Sequence, residues 1–281
     1  MKTLKRWTAV LACSMLSATL FSAAAQTSTE APPTTASPST PTSGSGAFAQ
    51  DRLFLQSFQF DGAIIPGQWW EGNLTYTDAD NVNAWTVDLL VALQMLDKLE
   101  VGGRVGFGTT DASGGLSDGT GATDLDFWGK WRVGTSSLDT DISVGAEVTV
   151  PTGDDAVGLG TDAFALTLFG ALRQQMQNSV LTAYAGLQFN DNGQIFGTTL
   201  RGQTAGLMGV GLMLPLSNTI TFVGEANLVT ERFEGTDSDF AVLGGINWHV
   251  TDKGVVRAAL ELGLTDGASD GSLLAGYAYT F

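Results

Sequence analysis

Leu125-Asp126-Phe127-Trp128-Gly129-Lys130-Trp131-Arg132-Val133 and, after a short break, Asp141-Ile142-Ser143-Val144-Gly145-Ala146-Glu147-Val148-Thr149-Val150 keep one apolar and one polar face throughout. A strand turns successive side chains to opposite faces, so this period of two marks strand where a helix would repeat every 3.6 residues. One face holds Leu125, Phe127, Gly129, Trp131 and Val133, then Ile142, Val144, Ala146, Val148 and Val150, and is free of charge. The other holds Asp126, Trp128, Lys130 and Arg132, then Asp141, Ser143, Gly145, Glu147 and Thr149. The pattern recurs in about twelve segments of roughly ten residues from Gln68 to Phe281, a length that suits a tilted membrane crossing.

A soluble sandwich alternates too, but it turns its apolar face inward, whereas a membrane barrel turns that face to lipid. The connectors decide between them. After every even segment the link is short, as at 96–98, 174–179, 215–218 and 251–254. After most odd ones it is longer and rich in Gly, Asp, Ser and Thr, as at 110–122, 151–161, 191–199, 231–239 and 266–270. Short turns alternating with long polar loops predict an all-β fold, a transmembrane antiparallel up-and-down β-barrel of about twelve strands with its short ends periplasmic. Aromatics fit two girdles at headgroup depth, with Trp70, Trp131, Trp248, Tyr279 and Phe281 low and Tyr76, Trp85, Phe107, Phe164 and Phe189 high.

Working outward, residues 1–25 read as a signal peptide. Lys2, Lys5 and Arg6 precede an apolar core, and Ala23-Ala24-Ala25 forms a small-residue cleavage site. The only cysteine, Cys13, leaves with it; a lipoprotein box there would truncate the apolar core. Residues 26–67 are expected to form a disordered Ser/Thr/Pro-rich tether and N-terminal segment, its place open between a plug in the lumen, the periplasm and an extra strand through Leu53–Phe60, and 68–281 the barrel. With 29 acidic against 13 basic residues, the formal charge of −16 excludes a nucleic-acid partner, because nothing could neutralise phosphates in bulk. The address is bacterial outer membrane.

Val148-Thr149-Val150-Pro151-Thr152-Gly153-Asp154 followed by Gly158-Leu159-Gly160-Thr161, with Gly263-Leu264-Thr265-Asp266-Gly267 and the ending Gly276-Tyr277-Ala278-Tyr279-Thr280-Phe281, resembles a family of outer-membrane transporters named for the meta pathway of phenol degradation. The resemblance covers most of 68–281. It implies uptake of small, aromatic or hydrophobic compounds and no catalytic residues. The terminal Phe281 also resembles the signal read by the barrel-assembly machinery.

Twelve strands leave a narrow, partly obstructed lumen. Candidate lining and selectivity residues are Asp88, Arg104, Asp126, Lys130, Arg132, Glu147, Arg173, Arg201, Glu225, Arg257 and Glu261. With a turn centred near Ser136, Arg132 faces Asp141, Lys130 faces Ser143 and Asp126 faces Glu147, and Arg104 relieves that carboxylate pair. Such a set reads either as a structural ion network or as a selectivity ring. Gly115-Leu116-Ser117-Asp118-Gly119 matches the nucleophile-elbow pattern but sits in a loop, with the one histidine, His249, expected at the opposite rim, so no catalytic role is assigned. Acidic outer loops such as 78–81 lack EF-hand spacing and read as solvated, with hard cations bridging them to lipid phosphates as the alternative, and no cofactor is implied. The function expected is passive diffusion of small solutes, with outer-membrane lipid and lipopolysaccharide as surroundings. The competing reading is a non-conducting surface barrel acting as an adhesin or envelope structural protein.

Overall fold

The structure, a computed structural model, describes residues 59–64, 66–134 and 140–281. The signal peptide, Cys13, most of the tether and the turn at 135–139 lie outside the described residues. The strands are β1 (Gln68–Ala79), β2 (Val82–Leu96), β3 (Leu99–Ala112), β4 (Gly119–Ala122), β5 (Leu125–Gly134), β6 (Thr140–Val150), β7 (Ala165–Met176), β8 (Ser179–Asn190), β9 (Gly193–Ile195), β10 (Thr198–Leu200), β11 (Thr204–Pro215), β12 (Ile220–Val229), β13 (Asp239–His249), β14 (Gly254–Gly263) and β15 (Gly271–Thr280).

Sequence neighbours pair antiparallel around the wall, and β1 closes it against β15 from Trp69↔Thr280 to Asp78↔Gly271. β4 and β5 share one wall position. β4 pairs with the outer part of β3, as Phe107↔Ala122, and β5 with its inner-leaflet part, as Leu99↔Trp131. Between them Thr123 still donates its amide to the Gly106 carbonyl at 3.0 Å and Asp124 steps out of the ladder, which gives a closed barrel of twelve spanning positions. The hairpin β9–β10 pairs only with itself, in an outer loop.

The apolar face of each strand is the outer one. Val87, Phe127, Val144, Leu168, Val210 and Leu260 all point outward and stay exposed, and Trp131, Trp248 and Phe281 at one rim and Trp85, Phe107 and Phe189 at the other are exposed as well. A continuous apolar belt on a closed sheet is incompatible with water as its solvent, so this face meets lipid and the barrel is an outer-membrane protein. Tyr76 packs on Trp85 with ring centroids 4.8 Å apart, and Tyr279 on Phe281 at 5.3 Å, as expected for girdles at the two interfaces. At the periplasmic seam the Phe281 amide donates to the Gln68 carbonyl at 3.0 Å, tying the last residue to the first strand.

The β5–β6 pairs stand two residues from the expected register, with Arg132 opposite Ser143 and Lys130 opposite Gly145, and a bulge lies between Arg132 and Gly134. Asp126 therefore faces Thr149, and Glu147 faces Trp128. The two carboxylates are not cross-strand partners.

Candidate functional site

The inward faces fill the lumen in tiers. Nearest the periplasm, Trp69, Leu90, Ala92, Trp128, Val255 and Ala278 form a buried cluster. The Trp128 ring has room because its neighbour on β3 is Gly102, where any Cβ would run into the indole. Two buried ion pairs flank this cluster. Lys130 meets Glu100 at 3.1 Å with both side chains fully buried, and Arg257 meets Glu71 at 2.5 Å. Removing one partner from such a pair would strand a charge in a low-dielectric interior, so each pair locks the strands it joins. Across the lumen, Val180, Met213 and Val223 fill the same level.

The middle tier includes part of the N-terminal segment 26–67, whose place the sequence leaves open. Residues 59–64 lie inside the barrel and join no strand. Phe60 stacks on Tyr184 and meets Phe169 edge-on, in a cluster with Ala171 and Leu207. Asp61, fully buried, accepts from Arg173 at 2.6 Å, and Arg132 donates to the Ile64 carbonyl at 3.5 Å. Gly62 passes so close to the β7 backbone at Leu172 and Arg173 that a Cβ would collide with it. Nothing in the composition of 26–67 marks these six residues as lumenal.

Above them the lumen opens into a cavity of about 560 Å³ that reaches toward the outer loops, and a smaller one of about 270 Å³ shares Gln59, Thr86, Asp88, Arg104 and Glu261 with it. Arg104 holds Asp126 through Nε at 2.7 Å and through Nη2, and Thr149 donates to the same carboxylate at 2.6 Å. Asp126 is thus saturated. Glu261 accepts from Ser272 at 3.1 Å. Glu147 is buried in the cavity wall, and its Oε2 has no hydrogen-bond partner among the described residues.

The break between β4 and β5 shapes the mouth. Asp124, freed from the ladder, accepts from the Gly153 amide at 2.9 Å and from the Thr161 amide and hydroxyl at 3.1 and 3.2 Å. That carboxylate draws the loop after β6 across the opening, where Gly153 and Gly160 touch backbone to backbone and a Cβ on either would clash. Leu159 and Phe233 are buried beneath the loops and line the cavity.

Ten of the eleven candidate residues lie on the inward faces. Asp88, Arg104, Asp126, Glu147 and Glu261 line the outer cavity, Arg132 and Arg173 grip the inserted segment, Lys130 and Arg257 sit in the buried pairs below, and Glu225 is buried on β12. Arg132 does pair with Asp141, at 3.1 Å, diagonally across the shifted register. Arg201 is not among them. It follows β10 on an outer loop, 77% exposed, and pairs with Glu234 at 3.1 Å. The partners Glu71, Glu100 and Asp61 escaped the sequence reading; Glu100 was accessible to it, since it lies directly opposite Lys130 in the β3–β5 ladder. Ser117 lies in the outer loop before β4, accompanied by no helix, while His249 ends β13 at the periplasmic rim, so the elbow pattern has no histidine in reach.

No family model matches the chain, and no curated protein matches it in sequence. Solved structures do match in fold. An outer membrane channel from Pseudomonas putida F1 is similar with a TM-score of 0.66 at 13% identity, over 80% of this chain and 98% of that one. A NanC porin structure is similar with a TM-score of 0.56 at 9% identity, over 75% and 100% of the two chains. A KdgM porin in complex with disordered oligogalacturonate is similar with a TM-score of 0.53 at 8% identity, over 75% and 99%. The likeness is one of barrel architecture.

Proposed function

We propose that this chain is an outer-membrane channel that passes small polar solutes by passive diffusion, with residues 59–64 as its constriction. The observation that carries the reading is the pair of adjoining polar cavities in the outer half of the lumen, which meet at Gln59 of the inserted segment. That segment belongs to no ladder, so moving it breaks side-chain contacts and one ion pair but no strand. The barrel architecture shared with channels and porins supports the same class. Asp88, Arg104, Asp126, Glu147 and Glu261 would then set selectivity, since a pore must hold its solute weakly enough to release it. Their carboxylates favour polar or cationic solutes over the hydrocarbon-like compounds that the family resemblance implies. Lipopolysaccharide around the outer girdle and the assembly machinery at Phe281 complete the expected surroundings.

Planar-bilayer recording of the refolded chain is the test. Discrete conductance steps are expected; a membrane that stays closed under every voltage and salt overturns the channel reading. The non-conducting barrel has one observation in its favour, the filled periplasmic tier at Trp69, Trp128, Val180 and Met213. Loop-dependent adhesion of cells with a silent bilayer would decide for it.

A further inference from the structure

We infer that the outer cavity is a binding station for short-chain organic ammonium ions. The inference rests on the channel reading, because the station is the outer half of the proposed pore. It begins with unmatched hydrogen-bonding atoms. Glu147 is only 6% exposed and Asn227 only 8%, yet Glu147 Oε2 and both amide atoms of Asn227 lack a hydrogen-bond partner among the described residues, as does Gln188 Oε1. Buried polar groups are normally matched; Asn227 Nδ2 is a donor without an acceptor, but the three oxygens lack donors, and they mark what an occupant would bring.

All three side chains line the cavity of about 560 Å³. Register explains how they come together. Glu147, Thr167 and Gln188 share one rung across β6, β7 and β8, and Tyr184, Gly209 and Asn227 share another across β8, β11 and β12. Gly209 contributes no side chain between Tyr184 and Asn227, which leaves the space beside Asn227 open.

Three of the four unmatched atoms are oxygens that accept, one of them on a carboxylate. Six carboxylates and two guanidinium groups line the cavity, so its field favours a cation. A primary ammonium supplies a positive charge and three N–H donors, which is the complement of that set. Leu207, Val229 and Ala241 lie on the same wall and suit a short carbon chain. A bare divalent ion fits less well, since no group of three or more metal-ligating side chains is assembled among the described residues.

Titration calorimetry on the refolded full chain in detergent tests this with three probes on one four-carbon skeleton: 1,4-diaminobutane, 1,4-butanediol and succinate. Saturable binding of the diamine alone is expected, with Glu147→Gln weakening it by at least about tenfold, the scale of one lost charge-assisted hydrogen bond. Asn227→Leu is read in the same titration and should weaken binding as well, which keeps the test open should either variant fail to refold. Equal binding of the diol, undiminished binding to the folded variants, or no diamine binding overturns the inference. Diamine binding to a barrel that never conducts overturns the channel and leaves the station, whereas a conducting barrel that ignores the diamine does the reverse.

Discussion

Phe60 lies flat against Tyr184, ring centroids 4.7 Å apart and planes 12° from parallel, so a residue from before the first strand is built into the middle of the barrel. Stacking of this kind is worth about 0.5–1.5 kcal/mol beyond area burial, which is enough to bias a segment toward its seat without fixing it there. Phe60→Ala is expected to raise the single-channel conductance and to lower the unfolding midpoint slightly. Unchanged conductance would remove residues 59–64 from the pathway.

Asp61 and Arg173 supply the second hold. Asp61→Ala leaves the Arg173 guanidinium buried without its carboxylate, and loss of one partner of such a pair costs roughly 3–5 kcal/mol. The expected compensation is that the segment leaves the wall, so Asp61→Ala should open the pore more than Phe60→Ala. Protection of 59–64 from protease added on the periplasmic side should fall in parallel.

The Lys130–Glu100 pair has a different signature, because neither side chain reaches water. Lys130→Met alone should destabilise the barrel by roughly 3–5 kcal/mol in urea unfolding from vesicles, while Lys130→Met with Glu100→Leu should be near neutral, apolar replacement of a whole buried pair being well tolerated. The double variant also leaves the Trp128 indole N–H without its acceptor at 3.4 Å, so it should not exceed the wild type by much. A single variant as stable as the wild type would count against burial of that pair.

Packing at Gly102 gives a local test. Gly102→Ala drives a methyl into the Trp128 ring, and overpacking of this kind costs typically about 1–3 kcal/mol. Trp128 fluorescence should shift with the loss of stability. Gly129→Ala, one strand along with nothing near its Cβ, should do neither.

Val210 faces outward near the middle of β11, 46% exposed. Val210→Arg should cost about 2–4 kcal/mol in unfolding from vesicles, the penalty of an arginine at mid-bilayer. Thr221→Arg, turned inward at the periplasmic end of β12, tests steric blockage instead. A penalty near zero in vesicles would mean that the outer belt does not meet hydrocarbon.

How much of this was written in the residues varies with the range of the interaction. The strands were legible because period two is local, and residues such as Phe127 and Val144 could be assigned outward once loop lengths fixed the membrane topology. Register was harder. The β5–β6 pairs lie two residues from the expected register, a shift that keeps every residue on its face and so leaves no mark in the alternation. Glu100 opposite Lys130 followed from pairing β3 with β5, a comparison that the β5–β6 hairpin distracts from. Asp61 and Phe60 were illegible, since their partners Arg173 and Tyr184 lie more than a hundred residues away and their own surroundings read as tether. Arg201 looked like a lining residue because the segment holding it alternates, but the ladder of β11 begins only at Thr204.

The inserted residues lie immediately before β1, and β1 is the strand that meets β15. Below them the floor is made of indoles and buried ion pairs from the wall itself. Their burial is therefore expected to accompany the closing of the β1–β15 seam. An intermediate in which β1 and β15 have not yet met is then expected to leave Phe60 open to water, and the joining of the two strands to hide it.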